Sequence, residues 1–310
     1  MNDRVTDRLA RDRVASRITA EVVPSAAASF WMLALRRFLR HRLAVAGLLA
    51  FAAIGLTAVA APFLAPHRPT TIDVAAFQSA PSPVHPLGTD SVGRDVLSRL
   101  IYAARVSLTV GVLAVAMYVV IGTAVGAVAG YYGGAVDLTL SRLMDIMLSF
   151  PPLIIILFAV SVFGRPSLWN VIIVLGLLGW PPVARLVRGQ ILSLRQQEFV
   201  LAGRAVGAKD GAVIVRHLLP NAMAPVLVAA TFGTANAILV EAALSFLGMG
   251  VQPPTASWGN MLTDAQSLTV LERMPWLWVP PGFMILISVL AINFVGDGLR
   301  DALDPSLRLQ

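Results

Sequence analysis

The sequence predicts an all-α fold, a polytopic membrane helical bundle with six transmembrane helices. Of its 310 residues, 57% are apolar and 13% are charged, whereas soluble domains carry roughly 25% charged residues. Mean hydropathy is +0.75. Six apolar runs are long enough to cross a membrane as helices, which takes roughly 20 residues each. They lie near residues 43–64, 106–129, 139–163, 168–187, 222–247 and 281–299.

These runs divide the chain into segments. Residues 1–28 form a cytoplasmic N-terminal tail, and residues 29–42 mix arginines with large apolar side chains, which is typical of an amphipathic helix at the lipid interface. The run 43–64 is the first transmembrane helix, because it exceeds the roughly 7–15 apolar residues of a cleaved signal. The remaining segments are an external segment at 65–105, a five-helix core at 106–305 with a polar insert at 188–221, and a C-terminal tail at 306–310.

The basic residues predict the orientation. Six spans place both termini on one side, and a cytoplasmic position for the termini leaves most of the 24 basic residues inside, as the positive-inside rule requires. These residues are dispersed at the ends of apolar runs, so nucleic-acid binding is not predicted.

Glycine and proline mark two structural features of the core. Gly122, Gly126 and Gly130 repeat every fourth residue, which predicts close packing against a second helix rather than a pore lining. The pairs Pro151-Pro152 and Pro181-Pro182 remove backbone donors and should kink or unwind their helices. Unwound backbone at membrane depth needs protein or water beside it, so we expect these sites to face the bundle interior.

The polar insert predicts a helix, a sharp turn and a second helix. Gly207 is a natural helix stop, Asp210 is a good N-cap, and the second helix should end before Pro220. We call residues 198–213 the knuckle. Its small residues present a low profile that suits a groove on a partner, with Arg204 and Lys209 at the edge.

The insert resembles the cytoplasmic coupling loop of binding-protein-dependent ABC-importer permeases. Gly207, Leu219 and Pro220 match that pattern, whereas Leu201 stands where it has Glu and His217 where it has Ile. Gly203 also replaces its second Ala. The resemblance implies a type I importer permease fold and a set of ATPase-coupling residues. These are Glu198, Ala202, Gly203, Arg204, Gly207, Ala208, Lys209, Asp210, Leu219 and Pro220.

Two further segments are similar to the dipeptide, oligopeptide and nickel branch of this family, in its second permease subunit type. They begin at His85 and at Glu241. This similarity implies a bacterial cytoplasmic membrane protein that forms a heterodimer with a sister permease and works with two ATPase subunits and an external substrate-binding protein. Di- and oligopeptides are the leading substrates, and nickel chelates, glutathione and other small solutes are alternatives.

The external segments supply docking candidates. The resemblance implies that they meet the binding protein or the sister permease, and the candidates are Asp90, Arg94, Asp95 and Trp258. A structural lid over the bundle is an equally good interpretation. Asp90 or Ser91 is expected to start a helix that runs along the surface into the second span.

Four residues are candidates for translocation or gating: Asn236, Glu241, Pro151 and Pro152. Ionisable residues at membrane depth are functional candidates, and Glu241 is expected to pair with an external arginine or to line the gate. Asp145 lies three residues after Arg142 on one helix, so a local ion pair is expected there.

Several chemistries have no support. The chain has one lysine, Lys209, outside any phosphate-binding loop, so ATP and Mg²⁺ are expected on partner ATPase subunits and no catalytic residue is predicted. There is no cysteine, and no two histidines are spaced i, i+4, so no metal site is predicted. A secondary transporter needs a mid-depth ion-coupled pair and inverted repeats, and a membrane enzyme needs clustered acids or a nucleophile. We find neither set.

Overall fold

A computed structural model describes residues 30–162 and 167–303. The tails predicted at 1–28 and 306–310 lie outside the described residues. The described residues contain helices and no strand, apart from a single bridge between Thr89 and Asp95. The first helices are α1 at Phe30–Arg40, α2 at Arg42–Val59 and α3 at Ala61–Leu64.

The longest helix, α4, occupies Val96–Tyr132 and forms the centre of the bundle. Asp95 is its N-cap and accepts a hydrogen bond from the Ser98 backbone, so the expected start at Asp90 or Ser91 is wrong. The reason is that Asp90 bonds the backbone N–H groups of Val92 and Arg94 and thereby holds a turn. The surface helix and the second span are one continuous helix. Of the predicted external segment, only residues 65–95 therefore lie outside α4, and we call them the cap segment.

The third predicted span is broken. Helix α5 occupies Gly134–Leu148 and α6 occupies Pro152–Val162, and the two are bent by 88°. Helix α7 at Leu168–Leu178 and α8 at Trp180–Leu194 together form the next span. The two proline pairs therefore stand at helix breaks, as predicted from their missing backbone donors.

The second half of the chain contains two long spans. Helix α9 occupies Glu198–Ala205, and a short α10 at Asp210–Ala212 continues through a π-helical turn at Val213–Leu218 into α11 at Leu219–Phe246. After α11 come α12 at Trp258–Met261, a 3₁₀ turn at Leu262–Gln266 and α13 at Leu268–Arg273. Helix α14 occupies Pro275–Leu303.

Within the described residues, five helices have the length and composition of membrane spans, and the bent pair makes a sixth. The predicted all-α membrane bundle is therefore confirmed. The knuckle lies at one end of this bundle, which we call the knuckle end. The cap segment and residues 248–275 lie at the other, which we call the cap end.

Helices α4 and α8 pack backbone to backbone. A Cβ atom added to Gly122 would lie 2.8 Å from the Trp180 carbonyl oxygen, and one added to Gly130 would lie 2.9 Å from that of Arg188. At Gly126 the nearest atom is the Ala184 carbonyl oxygen. The three glycines therefore let the helices approach closely, which is the packing role that their spacing predicts.

Substituting Gly126 by Val should separate α4 from α8, because the new methyl groups have no space. Overpacking of this kind costs about 1–3 kcal/mol, so thermal unfolding of the purified protein should begin at a lower temperature. Gly189→Val is the matched control, since Gly189 lies on α8 with no atom within 4 Å of its added Cβ. Equal unfolding temperatures for the two variants would contradict the packing role.

Candidate functional site

A glycine turn shapes the knuckle. Helix α9 ends at Ala205, and Gly207 follows with φ at +84°, a left-handed conformation that glycine adopts without strain. The Gly207 N–H donates to the Arg204 carbonyl and the Ala208 N–H to the Gly203 carbonyl. This is the Schellman pattern, and the predicted helix stop at Gly207 is confirmed.

Buried side chains fix the knuckle to the bundle. Val200, Val213 and Leu218 are fully buried and belong to one apolar cluster with residues of α4 and α8. In a membrane protein such packing holds elements in place without a hydrophobic drive between spans. The knuckle is therefore a rigid extension of α4 and α8 rather than a free loop.

Tyr131, near the end of α4, makes a second attachment. Its hydroxyl donates to Asp210 Oδ1 at 2.5 Å, and the Arg204 guanidinium lies 4.8 Å from its ring centroid. Arg195 donates to the Gly130 carbonyl oxygen at 3.1 Å. Tyr131 thus contacts both halves of the knuckle, a role that the sequence did not reveal.

The expected N-cap role of Asp210 is wrong. Lys209 occupies the N-cap position without a side-chain cap, and Asp210 is the first helical residue. The second helix also does not end before Pro220, which lies in the first turn of α11, where proline is tolerated because its missing N–H would have no partner. The π-helical turn preserves the connection between α10 and α11.

The outer face of the knuckle is exposed. The residues predicted for ATPase coupling are all exposed or partly exposed, and they surround large apolar side chains that have no cover. Val206 is 86% exposed, and Phe199, Leu201 and Val215 are also exposed. Exposed large apolar side chains on an otherwise polar segment are typical of a protein contact. Leu201 was expected only to depart from the family pattern, and the exposure of the other three side chains of this apolar patch was not predicted.

Ion pairs connect α5 to α8 near the knuckle end. Arg185 donates to Asp145 at 2.7 Å, whereas Arg142 lies 4.0 Å from the same carboxylate. The expected local pair of Asp145 with Arg142 is therefore secondary, because the α8 arginine reaches the carboxylate more closely. Arg188 makes a two-point contact with Asp137. These pairs add polar links to the glycine-mediated packing.

Glu241 belongs to a buried hydrogen-bond network at the cap end. It is fully buried, and its two oxygens accept from Ser107 at 2.9 Å and from Ser245 at 2.7 Å. No arginine pairs with it among the described residues, so the expected ion pair is wrong. Ser107 Oγ in turn accepts from the Trp258 backbone N–H. Glu241 therefore joins α4, α11 and α12, and its full burial excludes a gate-lining position in this conformation.

The other gating candidates lie on the surface of this chain. Pro151, Pro152 and Asn236 are all exposed, so the expectation that the Pro151-Pro152 break faces the interior of this bundle is not met. The polar backbone groups at the proline break and the Asn236 amide still need protein or water as hydrogen-bond partners at membrane depth. These exposed positions are thus suited to a partner or an aqueous path outside the single chain.

All four docking candidates have partners within the chain, and three of them are buried. Asp90, Asp95 and Trp258 are buried; Arg94 donates to Asp90 at 2.7 Å, and the Trp258 ring N–H donates to the Leu100 carbonyl oxygen. These contacts give the four residues structural roles within the chain, and their docking role stays a prediction. Next to them, Ser91 donates to Asp264, whose pKa is raised first by burial and then by the charge of Asp90.

Comparison with known families agrees with this architecture. A family model described as the binding-protein-dependent transport system inner membrane component matches residues 122–309. A second, described as the N-terminal TM domain of oligopeptide transport permease C, matches residues 29–81. Among solved structures, the MetNI methionine ABC transporter in an inward-facing conformation aligns with a TM-score of 0.53 and 19% identity over 66% of this chain and 96% of that chain. That likeness supports the fold alone.

Several relatives are much closer in sequence. The dipeptide transport system permease protein DppC of Alkalihalophilus pseudofirmus is 42% identical and covers 91% of this chain and 92% of the relative. The oligopeptide transport system permease protein OppC of Bacillus subtilis is 40% identical, with coverage of 93% and 94%. A Brucella suis protein with a provisional peptide permease name is 45% identical, with coverage of 88% and 90%.

Fold and comparisons together define a multi-pass transmembrane permease of an ABC importer, a transport subunit and not a catalytic one. The chain belongs to the family of inner membrane components of binding-protein-dependent transport systems. The predicted resemblance is confirmed, including its similarity to the oligopeptide and dipeptide permease C type.

Replacing Glu241 by Ala should destabilise the cap end, because Ser107 and Ser245 lose their acceptor inside the bundle. An unpaired buried polar group costs about 1–3 kcal/mol. Glu241→Gln should retain most of the stability, since an amide keeps the shape and can bond both hydroxyls. Limited proteolysis of the purified variants would compare them, and equal resistance of the Ala and Gln variants would contradict the network.

Proposed function

We propose that this permease forms a translocation pathway with a sister permease and that two ATPase subunits drive it. The single observation that carries the proposal is the knuckle, an exposed apolar and basic turn fixed to α4 and α8 by buried side chains. A rigid, exposed protrusion transmits the movement of a partner seated on it. ATP and Mg²⁺ would bind on the ATPase subunits.

The sister permease would cover the exposed Asn236 and the exposed Pro151-Pro152 break. Asn236 is exposed on α11, and an amide turned toward hydrocarbon is costly. Exposed apolar side chains of α6, including Ile154 and Phe158, lie on the same bent span as the prolines. A second permease would cover the apolar side chains, and an aqueous path between the two subunits would hydrate the amide.

The orientation proposed for the chain puts the knuckle end and both termini in the cytoplasm of a bacterial cell. Helix α1 supports this, because Arg36 and Arg40 alternate with exposed Leu35 and Leu39, as in helices that lie on anionic lipid. The cap end would then face outward and receive solute from a binding protein.

Di- and oligopeptides are the proposed substrates, because the named relatives are dipeptide and oligopeptide permeases. Nickel chelates and glutathione are the alternatives, and competition for uptake of a labelled dipeptide separates them. In the proposed cycle, closure of the ATPases draws the two knuckles together and shifts the bundle toward an outward-open state.

Replacing Gly207 by Leu should uncouple ATP hydrolysis from uptake. The positive φ of Gly207 disfavours any side chain, so the knuckle must change shape. Reconstitution with the sister permease, ATPases and binding protein should show uptake reduced by about tenfold or more, as expected if about 1.4 kcal/mol or more of coupling is lost. Gly189→Leu is the control, because Gly189 is on an open helical face, and normal uptake by Gly207→Leu would count against the knuckle.

Replacing Val206 by Asp tests the exposed apolar patch without disturbing the fold. A charge in a desolvated partner groove is strongly disfavoured, so pull-down of the ATPase by the variant should fail. Val74→Asp is matched in substitution and in exposure, at 76% against 86%, but lies in the cap segment. If both variants retain the ATPase equally, the apolar patch is not the surface that binds the ATPase.

Uptake by the permease alone, with no ATPase, would instead support a secondary transporter.

A further inference from the structure

Folding of the cap segment brings three metal-binding side chains together. His67, His85 and Asp95 each offer an atom, and these atoms lie within 4.8 Å of one another. His85 Nδ1 is 3.0 Å from Asp95 Oδ1, and His67 Nδ1 is 4.0 Å from Asp95 Oδ2. The histidines are distant in sequence, so no spacing motif predicts this cluster.

Two ring nitrogens in the cluster lack hydrogen bonds. His85 is 6% exposed and Asp95 is 2% exposed, and both His67 Nδ1 and His85 Nε2 are buried atoms without a hydrogen-bond partner. Buried polar atoms are normally paired. The His67 Nδ1 atom is too far from Asp95 for a hydrogen bond but faces the same carboxylate, an arrangement that a shared ligand would satisfy.

We propose that His67, His85 and Asp95 bind a first-row divalent cation of the zinc class. Two imidazoles and one carboxylate are a donor set of catalytic zinc sites, which keep a position for water, and such ligands lie about 2.0–2.2 Å from the metal. Atoms bound to one tetrahedral ion are therefore about 3–3.5 Å apart; His85 Nδ1 and Asp95 Oδ1 are 3.0 Å apart, and the three ligand atoms all lie within 4.8 Å of one another. The His67 side chain is 33% exposed, which leaves the cation a route from solvent and room for a water ligand.

The groups around the cluster orient its ligands. Asp95 Oδ2 accepts from the backbone N–H and the hydroxyl of Ser98, at 2.7 Å and 2.6 Å, so Oδ1 is the oxygen available to a metal. Asp73 Oδ2 lies 3.5 Å from His85 Nε2. A carboxylate behind the second nitrogen of a metal-binding histidine fixes its tautomer and orientation. With the ring proton on Nε2, the Nδ1 lone pair of His85 would face Asp95 Oδ1 at 3.0 Å, and a cation between them would remove the repulsion.

The cation would fasten the cap segment to the bundle. His67 lies at the start of this segment, His85 is further along it, and Asp95 caps α4. The bound cation would therefore join the beginning and the end of an otherwise irregular segment to the central helix. This role is independent of the ATPase seat at the opposite end of the bundle.

Cobalt binding tests the proposal directly. The full chain, purified with its sister permease through a histidine-free tag and stripped with a chelator, would be titrated with Co²⁺ and followed by visible absorption. We expect a saturable band at about one Co²⁺ per permease and its displacement by Zn²⁺, since both ions suit the same donor set. Absence of the band in the wild type overturns the proposal and leaves the His85–Asp95 contact as a hydrogen bond within the cap segment.

Variants locate the site. His67→Asn and His85→Asn should each abolish the band, whereas His41→Asn should retain it, because His41 lies outside the cluster and Asn also serves as an N-cap for α2. Asp73→Asn covers the case in which a histidine variant does not fold, since Asp73 is largely exposed. Its Co²⁺ affinity should fall about 10–100-fold. Unchanged affinity in the Asp73 variant together with a persistent band in either histidine variant would refute the site.

Discussion

The backbone contact between α4 and α8 is the constraint on which the rest of the structure depends. Gly122, Gly126 and Gly130 leave no room for a side chain between the two helices. Lipid offers no hydrophobic drive for helix association, so close van der Waals contact must supply it. Because α8 leads directly into the knuckle, this contact also determines where the knuckle stands relative to α4.

The central helix α4 connects two ends of the bundle that are stabilised by different contacts. At the knuckle end Tyr131 contacts Arg204 and Asp210, so the turn is held by an aromatic ring and a hydroxyl. At the cap end Asp95 starts the helix, and about three helical turns further on Ser107 bonds Glu241. At both ends these polar groups are bonded by hydroxyls, carboxylates or backbone groups of the chain, as a hydrocarbon surrounding demands.

Sequence reasoning identified the features that depend on local chemistry. The spans follow from apolar length, the turn at Gly207 from the freedom of glycine, and the helix breaks from the missing donors of the proline pairs. The bend of 88° could not be predicted, because its size depends on how α6 packs against α7. The helix start was missed because Asp90, an equally good cap by type, is occupied by its own turn.

The long-range contacts were beyond the sequence for a different reason. Tyr131 and Asp210, Asp145 and Arg185, and the two histidines of the cap segment are each brought together only by the tertiary fold. Their residue types are common, and no periodicity relates the members of a pair. One of the family-like segments begins at His85, but the resemblance gave no indication of what that side chain contacts.

The distribution of rigid and broken elements indicates where movement can occur. The knuckle, α4 and α8 share one buried cluster, so a displacement of the knuckle must carry both helices with it, because packed interiors transmit strain. The chain is interrupted instead between α5 and α6, at Pro151 on an exposed face. Helix α5 is tied to α8 through Asp137 and Asp145, whereas α6 packs against α7. We therefore expect a rigid-body movement of the knuckle to be absorbed at this break, next to the face where the solute path is proposed.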